Sequence, residues 1–148
     1  MTSDHPFIER NRASRQRLDA FLGRATEEMM ARKLANGWTV SATIAHLAFW
    51  DRWVIARWDQ YDRDGEIMTL PDGTDDLGNS AGIVEWQMLT PAQVSELVRS
   101  SADAIDRRIA ALSPAAITHA VETGRPAMLD RSIHRDPHLE EIDQLLGR

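Results

Sequence analysis

The chain has 148 residues, enough for one domain with a real hydrophobic core, here taken as 1–148. Its net charge of −6 and pI near 5.3 argue against a nucleic-acid-binding surface. The absence of cysteine excludes disulfides, thiolate metal sites and a cysteine nucleophile together.

Asp4-His5-Pro6 reads as a helix start, with Asp4 as cap and Pro6 in the first turn. Ile8, Leu18, Phe21, Leu22, Ala25 and Met29 follow at helical spacing and predict a helix over 6–28. Residues 30–38 form a connection, in which Asn36-Gly37 is a turn or C-cap signal.

The next helix, over 40–62, organises the chain. Thr39 or Ser41 can cap it. Val40, Ile44, Leu47, Val54, Ile55 and Trp58 make one apolar face, and Ala42, Phe49, Trp50 and Trp53 a second. Only the strip Ser41, Ala45, Arg52, Ala56 and Asp59 suits solvent, so the helix is expected to be buried among others. His46 and Asp51 fall on the buried faces and must find partners. Asp51 is expected to pair with an arginine such as Arg15 or Arg108, or to cap a loop amide.

Periodicity then fails over 64–76, within a loop taken as 64–78. Asp64-Gly65, Pro71-Asp72-Gly73 and Gly78 are turn signals, and a connection this long suggests a lid. A short helix is expected over 79–89. Thr90-Pro91-Ala92-Gln93 is a capping box with proline at the first helical position. Val94, Leu97, Val98, Ala102, Ile105, Ile109 and Leu112 extend it as the cleanest amphipathic stripe of the chain. Ser113-Pro114 opens one or two further turns. The last apolar set, Ile133, Leu139, Ile142, Leu145 and Leu146, predicts a terminal helix. Asp136 is its expected N-cap and Pro137 its first residue, because proline disfavours helical angles in the residue before it.

Four principal helices and no alternating strand predict an all-α bundle. The linker after the second helix is long enough to cross over one end, so neighbours in space need not be neighbours in sequence. No stretch approaches the ~20 apolar residues of a membrane span. The N-terminus lacks the apolar segment of a signal peptide, and a cytoplasmic protein is expected.

Five histidines are present. His134 and His138 lie four apart, which on a regular helix places both imidazoles on one face. Packing the last helix against the second would add His46. Three neutral imidazoles with a fourth position open is the arrangement of a catalytic zinc site, although imidazole also suits nickel, copper and iron. The competing reading is a buried histidine hydrogen-bonded to a carboxylate or carbonyl, beside a chance pair. His5 looks incidental, and His119 is a reserve ligand.

Gly37-Trp-Thr-Val-Ser-Ala-Thr-Ile-Ala-His46-Leu-Ala-Phe-Trp50-Asp51, with the late His134-x-x-x-His138-Leu-x-x-Ile142, resembles the DinB/YfiT-like superfamily. That superfamily includes the N-terminal domain of mycothiol-dependent maleylpyruvate isomerase. Asp76-x-x-Asn79 through Trp86 and Leu89-Thr-Pro also match a subset of its members. The resemblance covers about 15–146. It implies a four-helix bundle and a divalent metal, zinc or nickel, held by His46, His134 and His138. It also implies a homodimer, and a thiol-dependent transferase or isomerase, or a metal-assisted hydrolase, acting on a small molecule. A low-molecular-weight thiol such as mycothiol would be the cofactor.

A metal would lower the pKa of a bound water or thiol. Glu141, three residues after His138, is the candidate to orient an imidazole or take a proton, against a plain reading as a solvated acid beside Glu140 and Asp143. Trp50, Trp53 and Trp86 are candidates for the wall of an apolar pocket, with core the expected place of Trp50. Trp53 and Trp58 are candidates for a subunit contact. The alternative function is a non-catalytic bundle that dimerises or binds a ligand, its metal site degenerate.

Overall fold

The computed structural model describes residues 5–147, so the expected capping by Asp4 lies outside the described residues. Those residues form seven α-helices and no strand. The helices are α1 (Pro6–Arg24), α2 (Glu27–Ala31), α3 (Val40–Asp64), α4 (Thr74–Trp86), α5 (Pro91–Ala110), α6 (Pro114–Glu122) and α7 (Ser132–Leu146). A single 3-10 turn, Pro126–Met128, precedes α7.

Side chains at the helix ends set these limits. Thr39 Oγ1 accepts from the Ala42 amide and starts α3, and Gly65, at φ 77°, ends it. Thr90 and Gln93 complete the reciprocal capping box of α5. Ser113 caps α6 through the Ala116 amide. The first helix stops short of the expected 6–28. Ala25 turns extended, and Thr26 accepts from the Met29 amide to open α2 as a separate piece.

Two further expectations are corrected. The connection after α3 spans only 65–73, and α4 begins five residues before the expected 79. Gly73 takes the left-handed conformation at φ 86° before the helix, and Asp75 and Asp76 fill its first turn, where acids oppose the helix dipole. The same Asp and Gly residues read as turn signals in the sequence. Secondly, α7 does not start at Pro137; it runs through it from Ser132. Proline so early forfeits one bond, to the Ile133 carbonyl, and Ile133 is exposed, so water can satisfy that oxygen.

Cross-helix partners fix the directions. Arg52 meets Ser101, and Arg108 meets Asp59 and Asp62, so α3 and α5 run parallel. Arg17 meets Glu140, and Arg24 meets Asp143, so α1 and α7 run parallel. Arg15 with Asp103, and Arg99 with Asp19, set α1 against α5 in opposite directions. His46 with His134, and Asp51 with Arg131, do the same for α3 and α7. The four long helices are thus two parallel pairs packed antiparallel. The parallel α3–α5 pair requires the chain to return along the molecule through 65–73 and α4.

Two apolar clusters fill the interior. One gathers Leu18, Phe21, Ile44, Leu47, Val98 and Leu139, and the other Phe7, Trp58, Ile105, Ile109, Met128 and Leu129. Polar residues lie between them in sequence along the helices: Asn11 and Ser14 on α1, Asp51 on α3, Arg135 on α7, with Arg131 just before it. The expected solvent strip of α3 holds only at its later end. Ser41 and Ala45 are buried, whereas Arg52, Ala56 and Asp59 are exposed. Trp58 is fully buried and donates from Nε1 to the Met128 carbonyl at 3.0 Å, which removes it from any subunit contact. No helix among the described residues is long and apolar enough to cross a membrane.

Candidate metal centre

Helix α3 presents His46 toward α7. Because α7 is continuous through Pro137, His134 and His138 project from one face, four residues apart, onto the same spot. Each of the three offers a nitrogen, and these nitrogens all lie within 4.8 Å of one another. His46 Nε2 is 2.9 Å from His134 Nε2. The ring centroids are 4.8 Å apart for His46–His134 and 5.0 Å for each pair with His138. The edges of Trp38 and Trp86 stand over His46, each at 5.3 Å between centroids.

The donor set fits a metal. Nitrogens bound to zinc at ~2.0–2.1 Å stand ~3.3 Å apart at a tetrahedral angle. The observed spacings, from 2.9 Å up to at most 4.8 Å, bracket that value. His46 and His134 are held in the neutral, ligating form. Burial first, then the neighbouring His138, lowers the pKa of His46 to about 4. Burial, then the Arg131 and His46 charges, lowers that of His134 to about 2.

Glu141 is half-exposed, and its Oε1 lies 2.9 Å from His138 Nδ1 without the alignment of a hydrogen bond. A carboxylate at the far nitrogen of a ligating imidazole is the usual means of fixing its tautomer.

Behind the histidines lies a buried charge network that sequence reasoning missed. Asp51 accepts from Arg131 Nε at 2.9 Å and from Arg135 Nη2 at 3.4 Å. Arg135 also grips Asp106 through both terminal nitrogens, at 2.9 and 3.1 Å. Asp51 and both arginines are 3% exposed or less. Burial acts to lower the Arg135 pKa, but Asp51 and Asp106 outweigh it and raise it, so the guanidinium stays charged. The expected partners of Asp51 are engaged elsewhere: Arg15 with Asp19 and Asp103, Arg108 with Asp59 and Asp62. The one available signal was the spacing of Arg131 and Arg135, each three residues before a histidine of the cluster. It places them on the neighbouring strip of the same helix face.

A cavity of about 340 Å3 opens beside the cluster, lined by His46 and His134 with Trp50, Trp53, Arg57 and Asn79 among others. Trp50 is fixed there by Nε1, which donates to Asn79 Oδ1 at 2.8 Å. Gly78 makes room for it, since a Cβ at that position would stand 2.9 Å from the Trp50 ring. Trp86 is buried against His46 and Trp38 and does not line the cavity. His119 is no reserve ligand. Its Nε2 accepts from the Ile67 amide at 3.0 Å and pins the 65–73 connection to α6. His5 stacks on Phe7, at 5.0 Å between ring centroids.

The model of the mycothiol maleylpyruvate isomerase N-terminal domain family matches residues 11–138, a span that contains all three histidines. No curated protein and no solved structure matches the chain. The chain belongs to that family, a DinB/YfiT-like one.

Proposed function

We propose that His46, His134 and His138 hold a divalent metal ion, zinc or nickel, and that the chain uses it for chemistry on a small molecule. The reaction is thiol-dependent transfer or isomerisation, with hydrolysis as the neighbouring possibility. The four long helices then form the four-helix bundle of DinB/YfiT-like proteins, as one cytoplasmic domain over 1–148. The observation that carries this reading is the convergence of three imidazole nitrogens within 4.8 Å of one another, two of the rings lining a cavity. Membership of a family described by mycothiol supports a low-molecular-weight thiol as cofactor.

Three neutral ligands leave the ion its full charge, which lowers the pKa of a bound water or thiol toward neutrality. The chain's own residues do the rest. The Asp51–Arg131–Arg135 network locks α7 to α3 and so fixes His134 opposite His46. Glu141 orients His138 and can take its Nδ1 proton. Trp50 and Trp53 shape the apolar side of the cavity and exclude water from it.

Elemental mass spectrometry of untagged protein tests the site, with His46→Ala, His134→Ala and His138→Ala alongside. A near-stoichiometric metal, lost in all three variants, is expected. Parent protein that carries none and binds none added would remove the enzymatic reading.

The second reading, a non-catalytic dimerising or ligand-binding module, draws on α4. Leu77 and Val84 project from one stripe of this helix, and Met88 continues it past the end; they are 76%, 62% and 79% exposed. That stripe also supports a homodimer under the first reading. Analytical ultracentrifugation of Val84→Glu against the parent tests it, and two identical monomers would discard the dimer.

A further inference from the structure

The cavity beside His46 and His134 is lined by two hydrogen-bond donors that the fold holds in place and leaves unused. Trp50 Nε1 can only donate, so the Asn79 atom that meets it at 2.8 Å is Oδ1. The amide is thereby fixed, with Nδ2 turned away from the indole. Arg131 is fixed in the same manner: Nε donates to Asp51 and Nη1 to the Ala127 carbonyl, both at 2.9 Å. Among the described residues neither Asn79 Nδ2 nor Arg131 Nη2 has a hydrogen-bond partner, and neither atom is sealed from solvent. Both residues line the cavity, Asn79 from α4 and Arg131 from the position just before α7. These two nitrogens are therefore the groups they offer to it.

The surroundings define what the pair can hold. Trp50 and Trp53 supply an apolar wall. The charges of the lining balance: Arg131 is paired with Asp51 behind it, while Arg57 and Asp75 bring one charge of each sign. An anion would have to compete with Asp51 for Arg131 and would face Asp75 across the same space. A cavity with spare N–H donors, an apolar wall and no net charge suits an uncharged molecule that carries an oxygen acceptor.

We propose that Asn79 Nδ2 and Arg131 Nη2 bind the carbonyl oxygen of an uncharged substrate, a ketone, ester or amide, whose apolar part lies against Trp50 and Trp53. The donor pair stands on its own residues, and the placing of that carbonyl for reaction rests on the metal reading above. Asn79 then has two tasks, one for each end of its amide. Oδ1 positions Trp50, and Nδ2 selects the ligand.

The test follows the Trp50 and Trp53 indole N–H and the Arg131 Nε–H signals by NMR in metal-stripped protein. Acetophenone should shift all three saturably and bind tighter than benzoate. Asn79→Asp keeps an acceptor for Trp50 but removes the donor. It should weaken acetophenone about fivefold or more, the loss of one hydrogen bond, and leave ethylbenzene, which lacks the oxygen, unchanged. Asn79→Ala also releases Trp50 and should weaken both ligands. No saturable shift from acetophenone, an unmoved Arg131 signal, or tighter binding of benzoate would each overturn the donor pair. So would an Asn79→Asp variant that binds acetophenone as the parent does, or that loses ethylbenzene equally, the mark of a purely structural asparagine. In zinc-loaded protein, 2-mercaptoacetophenone should bind tighter than acetophenone. If it does not while acetophenone still depends on Asn79, the metal reading fails and the donor pair stands.

Discussion

His46 Nε2 stands 2.9 Å from His134 Nε2, across the interface of two antiparallel helices. Without a metal, one of these nitrogens must donate its proton to the other, and neither ring can accept a second proton cheaply. Burial, followed by the charge of His138 on His46 and of Arg131 on His134, holds their pKa values at about 4 and about 2 against an ordinary 6.5.

The metal-free protein should therefore lose stability as pH falls below about 6.5, where the unfolded histidines take up protons that the folded ones refuse. Above that pH both states are neutral and the pair adds no slope. Each histidine contributes up to ~1.4 kcal/mol per pH unit in the window below it, down to its folded pKa. Urea unfolding of chelated protein between pH 7.5 and about 4.5 measures the slope. His46→Gln should flatten it relative to the parent, and an unchanged slope would remove His46 from the account.

Glu141 sits against the outer nitrogen of His138 and is itself half-exposed. Glu141→Gln should therefore weaken metal binding by roughly 10–100-fold while changing unfolding free energy by less than about 0.5 kcal/mol. Competition with a chromophoric chelator reads the first quantity and urea titration the second. Unaltered metal affinity would return Glu141 to the role of a solvated surface acid.

Asp51 joins two guanidiniums that are otherwise out of water. Asp51→Ala leaves Arg131 without a carboxylate and Arg135 with Asp106 alone, and should cost about 3–5 kcal/mol. It should also weaken metal binding, because the start of α7 loses its tie to α3. Asp59→Ala, which removes one exposed partner of Arg108, should cost less than about 1 kcal/mol. A comparable small loss for Asp51→Ala in urea unfolding would show that the network does not hold α7.

These same residues show how far the sequence could be read. The apolar stripes and caps of α3 and α5 are local signals, and the structure has them where they were expected. His46, His134 and His138 do come together, since a four-residue spacing survives whenever the helix does. Pro137 misled because its local preference, to begin a helix, yields to tertiary contacts. Asp130 accepts from the Ser132 amide, and the Arg131 and Arg135 pairs hold the first turn in place. Asp51 plainly needed a cation, but which of the chain's arginines serves it depends on the antiparallel setting of α7. The start of α4 was hidden for a related reason: Gly78 reads as a breaker and is retained for its contact with Trp50.

That contact gives a paired comparison. At Gly78 an added methyl would meet the Trp50 ring at 2.9 Å, while at Gly23, near the end of α1, nothing lies within 4 Å. Both lie in helices, so alanine gains the same backbone propensity at each, about 1 kcal/mol. Trp50 cannot simply swing away, being buried and tied to Asn79. Gly23→Ala should therefore stabilise the protein, and Gly78→Ala should lie about 1–3 kcal/mol below it, the cost of overpacking. Near-UV circular dichroism should register a displaced tryptophan only in Gly78→Ala. Equal stability of the two variants, with an unchanged spectrum, would mean that α4 shifts freely, and the wall of the cavity beside His46 would then be soft rather than fixed.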